Sequence, residues 1–283
     1  MRAQQTWSTP VRDEKVRSIP CALCGGRRFR PALHCEGFSY VKCCSCGLVQ
    51  INPQPEQEAV HSRYGDDYLH YELSNEAAFF DLARRALDDA DIANIEEQAA
   101  VQRNKRVLEI GCATGSVLAY LRDRGWLVHG VEISAPQANW AQRERGLDIS
   151  TLPLEENHFP DEHFFLVTAS HLIEHLNDPV SFVREVNRIL VPGGFFLITT
   201  PNTSGLQARL FGSNWRSAIF DHLYLFSRNT LSRLVHEAGF TVEKTVTWGG
   251  IAQGFAPPAL KTIVDRAAKR YGFGDVMLVR CRA

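Results

Sequence analysis

From Arg106 onward, short apolar runs alternate with amphipathic stretches. Val107-Leu-Glu-Ile, Trp126-Leu-Val-His-Gly-Val and Phe164-Phe-Leu-Val-Thr-Ala have the length and apolar content of buried strands. Between them, Gly115-Ser-Val-Leu-Ala-Tyr-Leu, Pro136 to Arg145 and Pro179 to Leu190 read as helices. Ile149 marks a short third strand, and Pro192-Gly-Gly a turn into a fifth, Phe195-Phe-Leu-Ile-Thr-Thr. Thr230 to Ala238 predicts a helix stopped at Gly239, Phe240-Thr-Val-Glu a sixth strand and Asp275-Val-Met-Leu-Val-Arg the last. This alternation predicts a doubly wound α/β sheet, a fold that takes ligands at the carboxyl ends of its strands.

The first hundred residues are patterned differently. Residues 56–104 read as helical, with Asn75 as an N-cap ahead of Phe79, Leu82, Ala83 and Leu87 at helical spacing. Residues 18–54 are short-patterned, turn-rich and cysteine-rich, and Asn52-Pro-Gln-Pro55 closes them. Met1 to Arg17 is a polar arm. The expected organisation is a small metal-binding unit at 18–55, a helical linker or lid at 56–104 and the α/β domain at 105–283.

Composition narrows the function classes. Of 283 residues, 45% are hydrophobic and 22% charged, an ordinary globular balance. No apolar run approaches the roughly 18 residues of a membrane span, and the arm lacks a signal-peptide core, so a cytoplasmic protein with no membrane partner is expected. A net charge of −1 argues against a generally basic nucleic-acid binder. Residues 1–50 nevertheless carry eight Lys/Arg against three acids, a net of +5 that leaves −6 for the rest. A solvated face explains that excess more simply than an anionic partner does.

Six of the eight cysteines fall between Cys21 and Cys46, with Cys112 and Cys281 far downstream. Cys21-Ala-Leu-Cys24-Gly-Gly and Cys43-Cys44-Ser-Cys46-Gly-Leu are two C-x2-C knuckles eighteen residues apart. Two such turns meeting across a small β-ribbon supply the four thiolates of a structural zinc site, with Cys21, Cys24, Cys43 and Cys46 as ligands. Four thiolates leave no open position for a substrate, so the expected role is folding and docking rather than chemistry; the alternative is a set of redox-active or free cysteines. Cys35 and Cys44 are spare thiols.

The segment Glu109-Ile-Gly111-Cys112-Ala113-Thr114-Gly115 joins a strand to a helix, and Glu132 ends the next strand twenty-one residues after Gly111. Glycines at such a turn let a ligand approach the backbone, and an acid at the second strand end can accept from two ribose hydroxyls. The dinucleotide fingerprint G-x-G-x-x-G is absent. Two carboxylates suit a cationic cofactor better than a pyrophosphate, and S-adenosylmethionine combines adenosine, an amino acid head and a sulfonium.

At these residues the sequence resembles the class I S-adenosylmethionine-dependent methyltransferases. The resemblance continues through Gly130-Val-Glu132-Ile-Ser, Ile173-Glu-His175-Leu-Asn-Asp-Pro179, Leu190-Val-Pro-Gly-Gly-Phe and Thr200-Pro-Asn202. It extends to Leu210-Phe-Gly-Ser-Asn-Trp215, His222-Leu-Tyr-Leu-Phe-Ser and Ala238-Gly-Phe. The subgroup with an N-terminal zinc ribbon ends that ribbon in C-G-L-V and N-P-x-P, here Cys46-Gly-Leu-Val and Asn52-Pro-Gln-Pro55. The resemblance implies a Rossmann-like, seven-stranded, mostly parallel sheet behind the ribbon and helical segment. Two positions depart from the family pattern: its middle loop glycine is Ala113, and its usual acid in F-D-V-V is Phe165.

Site residues carry over from the resemblance. Glu109 and the backbone of Gly111, Cys112 and Gly115 would hold the methionine portion. Glu132 would bind the ribose, Ile133 the adenine, and Pro153 and Leu154 its far side. Ser170 and His171 would lie near the transferring methyl. In similar sugar C-methyltransferases the Glu-His pair serves as a base, which implies catalysis by His175 oriented by Glu174. His222 and Tyr68 are candidates for the acceptor pocket, and Trp215 for an apolar wall. His171-Leu-Ile-Glu-His175 also matches the inverted zinc-peptidase motif, but the long helix that motif needs is not predicted. Those C-methyltransferases carry a further C-terminal domain that this sequence does not show, which leaves the acceptor open.

The expected function is methyl transfer to a small molecule, such as a sugar nucleotide or a natural-product precursor. Two rivals stand beside it: methylation of RNA or protein gripped by the basic ribbon, which predicts steep salt dependence, and a non-catalytic scaffold, against which the intact Glu109, Gly111, Gly115 and Glu132 argue.

Overall fold

The structure, a computed structural model, describes residues 16–55, 66–252 and 254–283, with side chains from residue 69 onward in the second stretch. The N-terminal part holds strands β1 (Val16–Arg17), β2 (Phe29–Cys35), β3 (Phe38–Cys43), β4 (Val49–Ile51) and β5 (Gln54–Pro55). Helices α1 (Asp66–Asp89) and α2 (Ile92–Val101) follow. Next come β6 (Arg106–Ile110), α3 (Ser116–Asp123), β7 (Leu127–Val131), α4 (Ala135–Arg145) and β8 (Ile149–Ser150). The chain continues through β9 (Phe164–Ser170), α5 (Pro179–Ile189), β10 (Leu190–Pro201), α6 (Leu206–Phe211) and β11 (Tyr224–Leu225). It ends in α7 (Arg228–Glu237), β12 (Thr241–Trp248), α8 (Pro258–Tyr271) and β13 (Val276–Arg282).

Seven strands form one sheet in the order β12-β13-β10-β9-β6-β7-β8. The pairs from β10 to β8 are parallel, and β13 runs antiparallel to both neighbours. This is the Rossmann-like methyltransferase fold. Both faces of the sheet are covered, which is why its strands read as continuous apolar runs. Along β10, Phe196 and Ile198 enter one core cluster with Phe182, Val186 and Leu231. Phe195 and Leu197 enter the other with Ile92, Ile95 and Leu121. Phe165, where the family usually has an acid, is fully buried and stacks edge-on against Phe195.

The ribbon is joined to this layer by strand pairing as well as by packing. Its sheet has the order β11-β4-β3-β2, and β11 belongs to the chain between α6 and α7. Tyr40, Val49 and Ile51 pack with Trp215, Phe220 and Leu225. Burial of each large apolar side chain at such a junction contributes about 1.5–3 kcal/mol.

Two local expectations change. Asn75 is an interior residue of α1, and its side-chain amide donates to the Tyr71 carbonyl at 2.9 Å. The helix begins at least nine residues earlier, at Asp66, so no terminus is left for Asn75 to cap. Pro192-Gly-Gly is not a free turn either: it lies within β10, where the pairing with β9 shifts register between Leu190 and Phe195. Gly193, at φ 75, accommodates that bulge. No helix among the described residues is long and apolar enough to cross a membrane.

Candidate cofactor and acceptor site

The loop after β6 sits at the carboxyl end of the central strands, where β7 and β9 flank it. Gly111 and Gly115 both hold φ near 72, a conformation that favours glycine. At Gly115 an added Cβ would come within 2.3 Å of the Leu147 side chain. Ala113 also has positive φ, 46, and keeps it because the Glu132 carboxylate accepts from its amide at 2.9 Å. The other Glu132 oxygen accepts from the Ser134 amide at 2.8 Å. Glu132 therefore braces the loop, and each oxygen retains a lone pair for a ribose hydroxyl. Burial raises its carboxyl above the usual range, against the pull of those two amides.

Glu109 is buried, and its Oε2 has no hydrogen-bond partner among the described residues. Burial first, and then the Glu132 charge, push its carboxyl up to about 8, although the Leu118 amide pulls the other way. A buried acid with an unused oxygen beside a glycine loop leaves an acceptor unsatisfied. Cys112 contributes backbone here, since its side chain is buried with Leu118, Ala138 and Ile149. Ile133 is 40% exposed at the end of β7, and Pro153 is half-buried. Leu154 is 3% exposed and belongs to the main core, so it offers a ligand little surface.

One contact in this cleft has no sequence signal. Glu76 of α1 accepts from the Thr114 hydroxyl at 2.7 Å and from Arg145 of α4 at 2.5 Å. The first long helix is thereby tied across the glycine loop as a cover. On a helix rich in acids, nothing in the pattern distinguishes Glu76 from a solvated neighbour.

The candidate acceptor residues other than Tyr68 lie in the chain after β9. Ser170 is exposed, and His171 stands at φ 51, an uncommon conformation for a side chain of its size. His175 and Glu174 lie on a 3-10 turn, Ile173–His175, rather than on a long helix, so the peptidase arrangement is absent. Glu174 is fully buried, but its partners differ from those expected. Its carboxylate pairs with His171 Nδ1 at 3.3 Å and accepts from the Thr200 hydroxyl at 2.9 Å. Burial alone would raise the Glu174 carboxyl. The His171 hydrogen bond, and then the His171 charge, lead the causes that outweigh it and hold the carboxyl at about 2. The His171 side chain is 52% exposed, so its ring reaches from the buried acid to solvent.

His175 packs edge-on against His222, with ring centroids 4.7 Å apart. His222 is 8% exposed and its Nδ1 faces the Ser217 carbonyl at 2.8 Å. Burial, then the His175 charge, lower its pKa to about 3, so its ring is neutral. The ribbon fixes this loop: the Tyr40 hydroxyl is 2.7 Å from the Ile219 carbonyl and 2.8 Å from that of His222. Trp215 is 2% exposed and donates its indole N–H to Asp275, so it is core more than wall. The Tyr68 side chain lies outside the described residues.

Cys21, Cys24, Cys43 and Cys46 come together, with one sulfur of each within 4.8 Å of the others. The Cys21–Cys46 and Cys24–Cys43 sulfurs are 3.4 and 3.6 Å apart. A tetrahedral zinc with Zn–S bonds of about 2.3 Å spaces its sulfurs about 3.8 Å apart, so this donor set fits the ion. A Cβ at Gly26 would lie 3.3 Å from the Cys24 sulfur and 3.4 Å from that of Cys43, and the Ser45 amide points at Cys43 Sγ.

The sheet order and the braced glycine loop define a class I methyltransferase domain. The methyltransferase domain family model matches residues 80–245, more than half of the chain, and the chain belongs to that family. It is 34% identical over 143 residues to a protein of Mycolicibacterium smegmatis named as a probable S-adenosylmethionine-dependent methyltransferase, covering 50% of this chain and 53% of the relative. It is 29% identical over 154 residues to the malonyl-[acyl-carrier protein] O-methyltransferase of Enterobacter lignolyticus, covering 52% and 55%. The chain thus spans about half the length of the curated relatives it matches. Among solved structures, an S-adenosylmethionine-dependent methyltransferase from Archaeoglobus fulgidus aligns with 77% of this chain and 100% of its own, at a TM-score of 0.55 and 17% identity. That likeness is one of fold.

Proposed function

We propose that the chain transfers a methyl group from S-adenosylmethionine to a small-molecule acceptor, with residues 18–55 as a zinc ribbon, 56–104 as a helical cover and 105–283 as the cofactor domain. The unpartnered oxygen of buried Glu109, beside the glycine loop, carries this reading. S-adenosylmethionine, when bound, supplies an electrophilic methyl on a sulfonium, open to in-line displacement. Glu109 and the Gly111–Gly115 backbone hold its amino acid head, Glu132 its ribose, and Ile133 and Pro153 flank its adenine. Ser170 and His171 end the strand that faces the methyl.

His171 fits the role of base better than His175. Its Nδ1 is anchored on a buried, ionised carboxylate, which fixes the ring and leaves its far nitrogen for an acceptor proton. The acceptor is a hydroxyl or an enolisable carbon, in a sugar nucleotide or a natural-product precursor. The relative named for O-methylation of malonyl-acyl carrier protein makes oxygen acceptors the first to test. Radiolabelled methyl transfer should be screened against nucleotide sugars, phenols and carboxylates. Turnover of one of these classes is expected. Labelling only of RNA or protein, lost steeply with salt, would replace the small-molecule reading.

Glu109 gives a proton-linkage prediction. Its folded pKa, about 8, lies above the usual carboxylate value, so it is mostly protonated near neutrality. An ammonium arriving beside it favours the carboxylate and expels that proton. Binding of S-adenosylmethionine should therefore strengthen as pH rises toward about 8, with net proton release at about pH 7. Calorimetry in buffers of different ionisation enthalpy reads that release, and Glu109→Gln should abolish it. In the empty protein the same shift costs stability as pH rises from the usual carboxylate range through about 8, so Glu109→Gln should melt higher than wild type in alkaline buffer.

A further inference from the structure

A second group of metal-ligand side chains lies beside the proposed acceptor end, away from the four cysteines. One carboxylate oxygen of Glu174 and one ring nitrogen each of His175 and His222 lie within 4.8 Å of one another. We propose that Glu174, His175 and His222 bind a divalent first-row transition cation of the zinc class, with its remaining coordination positions open to water or an acceptor oxygen. The site goes beyond the methyl-transfer reading, and rests on it only for what those open positions face.

The donor set comes first. Two imidazoles and one carboxylate suit borderline ions such as zinc, iron(II) or cobalt(II), and three protein ligands leave room for exchange. Bonds of about 2.0–2.2 Å set tetrahedral donors about 3.4 Å apart, and the three donors here already lie within 4.8 Å of one another.

The surroundings then orient each ligand as metal sites require. A metal-binding histidine usually gives its second N–H to a carbonyl or carboxylate, which fixes the tautomer. His222 places Nδ1 against the Ser217 carbonyl at 2.8 Å, so Nδ1 carries the proton and Nε2 keeps a free lone pair. The Tyr40 hydroxyl, on the backbone carbonyls of Ile219 and His222, pins the loop that presents this ring. Thr200 holds one Glu174 oxygen at 2.9 Å and leaves a lone pair on it.

Charge and satisfaction point the same way. Glu174 is fully buried, and among the described residues no lysine or arginine pairs with it; the His171 ring approaches it at 3.3 Å. A cation held between Glu174 and the two imidazoles would give that buried carboxylate a direct ligand bond in place of one long contact. His175 Nδ1 is buried with no hydrogen-bond partner among the described residues, an orphan that a metal bond would satisfy. This ligand set is distinct from the H-x-x-E-H peptidase motif, because its third member comes from the loop before β11 and no helix carries it.

Cobalt(II) titration of the tag-free full chain, with its cysteine site already filled, tests the proposal without methyl donor or acceptor. Visible d–d bands should appear without a thiolate-to-cobalt charge-transfer band, and saturate at one added equivalent per chain. His175→Ala and His222→Gln should each abolish the bands. Thr200→Val, which keeps all three ligands, should weaken cobalt affinity by about 10–100-fold. Circular dichroism checks that each variant is folded. No such bands at millimolar cobalt, or bands that survive in folded His175→Ala and His222→Gln, would overturn the site. Because no methyl transfer is measured, failure here leaves the proposed activity standing, and an inactive protein that binds cobalt this way leaves the metal site standing.

Discussion

His171→Ala is expected to lower kcat by about 10²–10⁴-fold on an acceptor that must lose a proton. The expectation follows from the dyad at the end of β9. Glu174 is buried and ionised, His171 Nδ1 faces it at 3.3 Å, and the rest of the ring is exposed. A base acting in the transition state affects kcat and kcat/KM alike, so KM for the acceptor should change little. The loss should shrink for an acceptor that is already deprotonated. Glu174→Gln keeps the shape but removes the carboxylate that anchors the His171 ring, and should lower kcat with little change in the acceptor KM. His175→Ala is the informative partner. If it lowers kcat by about 10²–10⁴-fold while His171→Ala turns over normally, the base role returns to His175.

Cys24→Ser should have the largest effect on stability. Zinc binding by four thiolates is worth about 10–16 kcal/mol at neutral pH, and in small ribbons that binding free energy is the folding free energy. Elemental analysis should show the variant short of about one zinc per chain relative to wild type. The ribbon should melt early, and the damage should spread in one direction. Tyr40 holds the carbonyls of Ile219 and His222, and β11 pairs with β4, so the acceptor-side loop should loosen with the ribbon. Glu109, Glu132 and the glycine loop hang on β6 and β7, outside that sheet, and cofactor affinity should hold within a few-fold. Metal-free protein of wild-type stability would refute the structural role.

The sequence carried the doubly wound layer well, because its strands are buried on both faces and its helices have one apolar stripe. Phe195 to Ile198 alternates between two cores, yet every residue is apolar, so the run is visible without knowledge of which face it meets. Elements shaped by tertiary contact were harder to read. β11 is two residues long and exists because β4 offers it a partner. The bulge at Pro192-Gly-Gly looks like a turn until the continuous pairing of β10 is seen.

The site divides in the same way. The glycine loop and Glu132 are adjacent in a motif with a mechanical reason for each residue. The partner of Glu174 is not, since the choice between His171 and His175 depends on the path of one 3-10 turn. Glu76, Thr200 and Tyr40 act across 26 to 182 residues of sequence, and no local pattern marks such contacts.

Calorimetry of S-adenosylmethionine binding to wild type and Glu132→Ala tests the central claim most directly. Wild type should bind one equivalent per chain with micromolar-range affinity. Glu132→Ala removes the acceptor of two ribose hydroxyls and also the brace on the Ala113 amide, and should weaken binding by about 1.5–3 kcal/mol while remaining folded. No binding to wild type, or equal binding by a folded Glu132→Ala, would contradict the account.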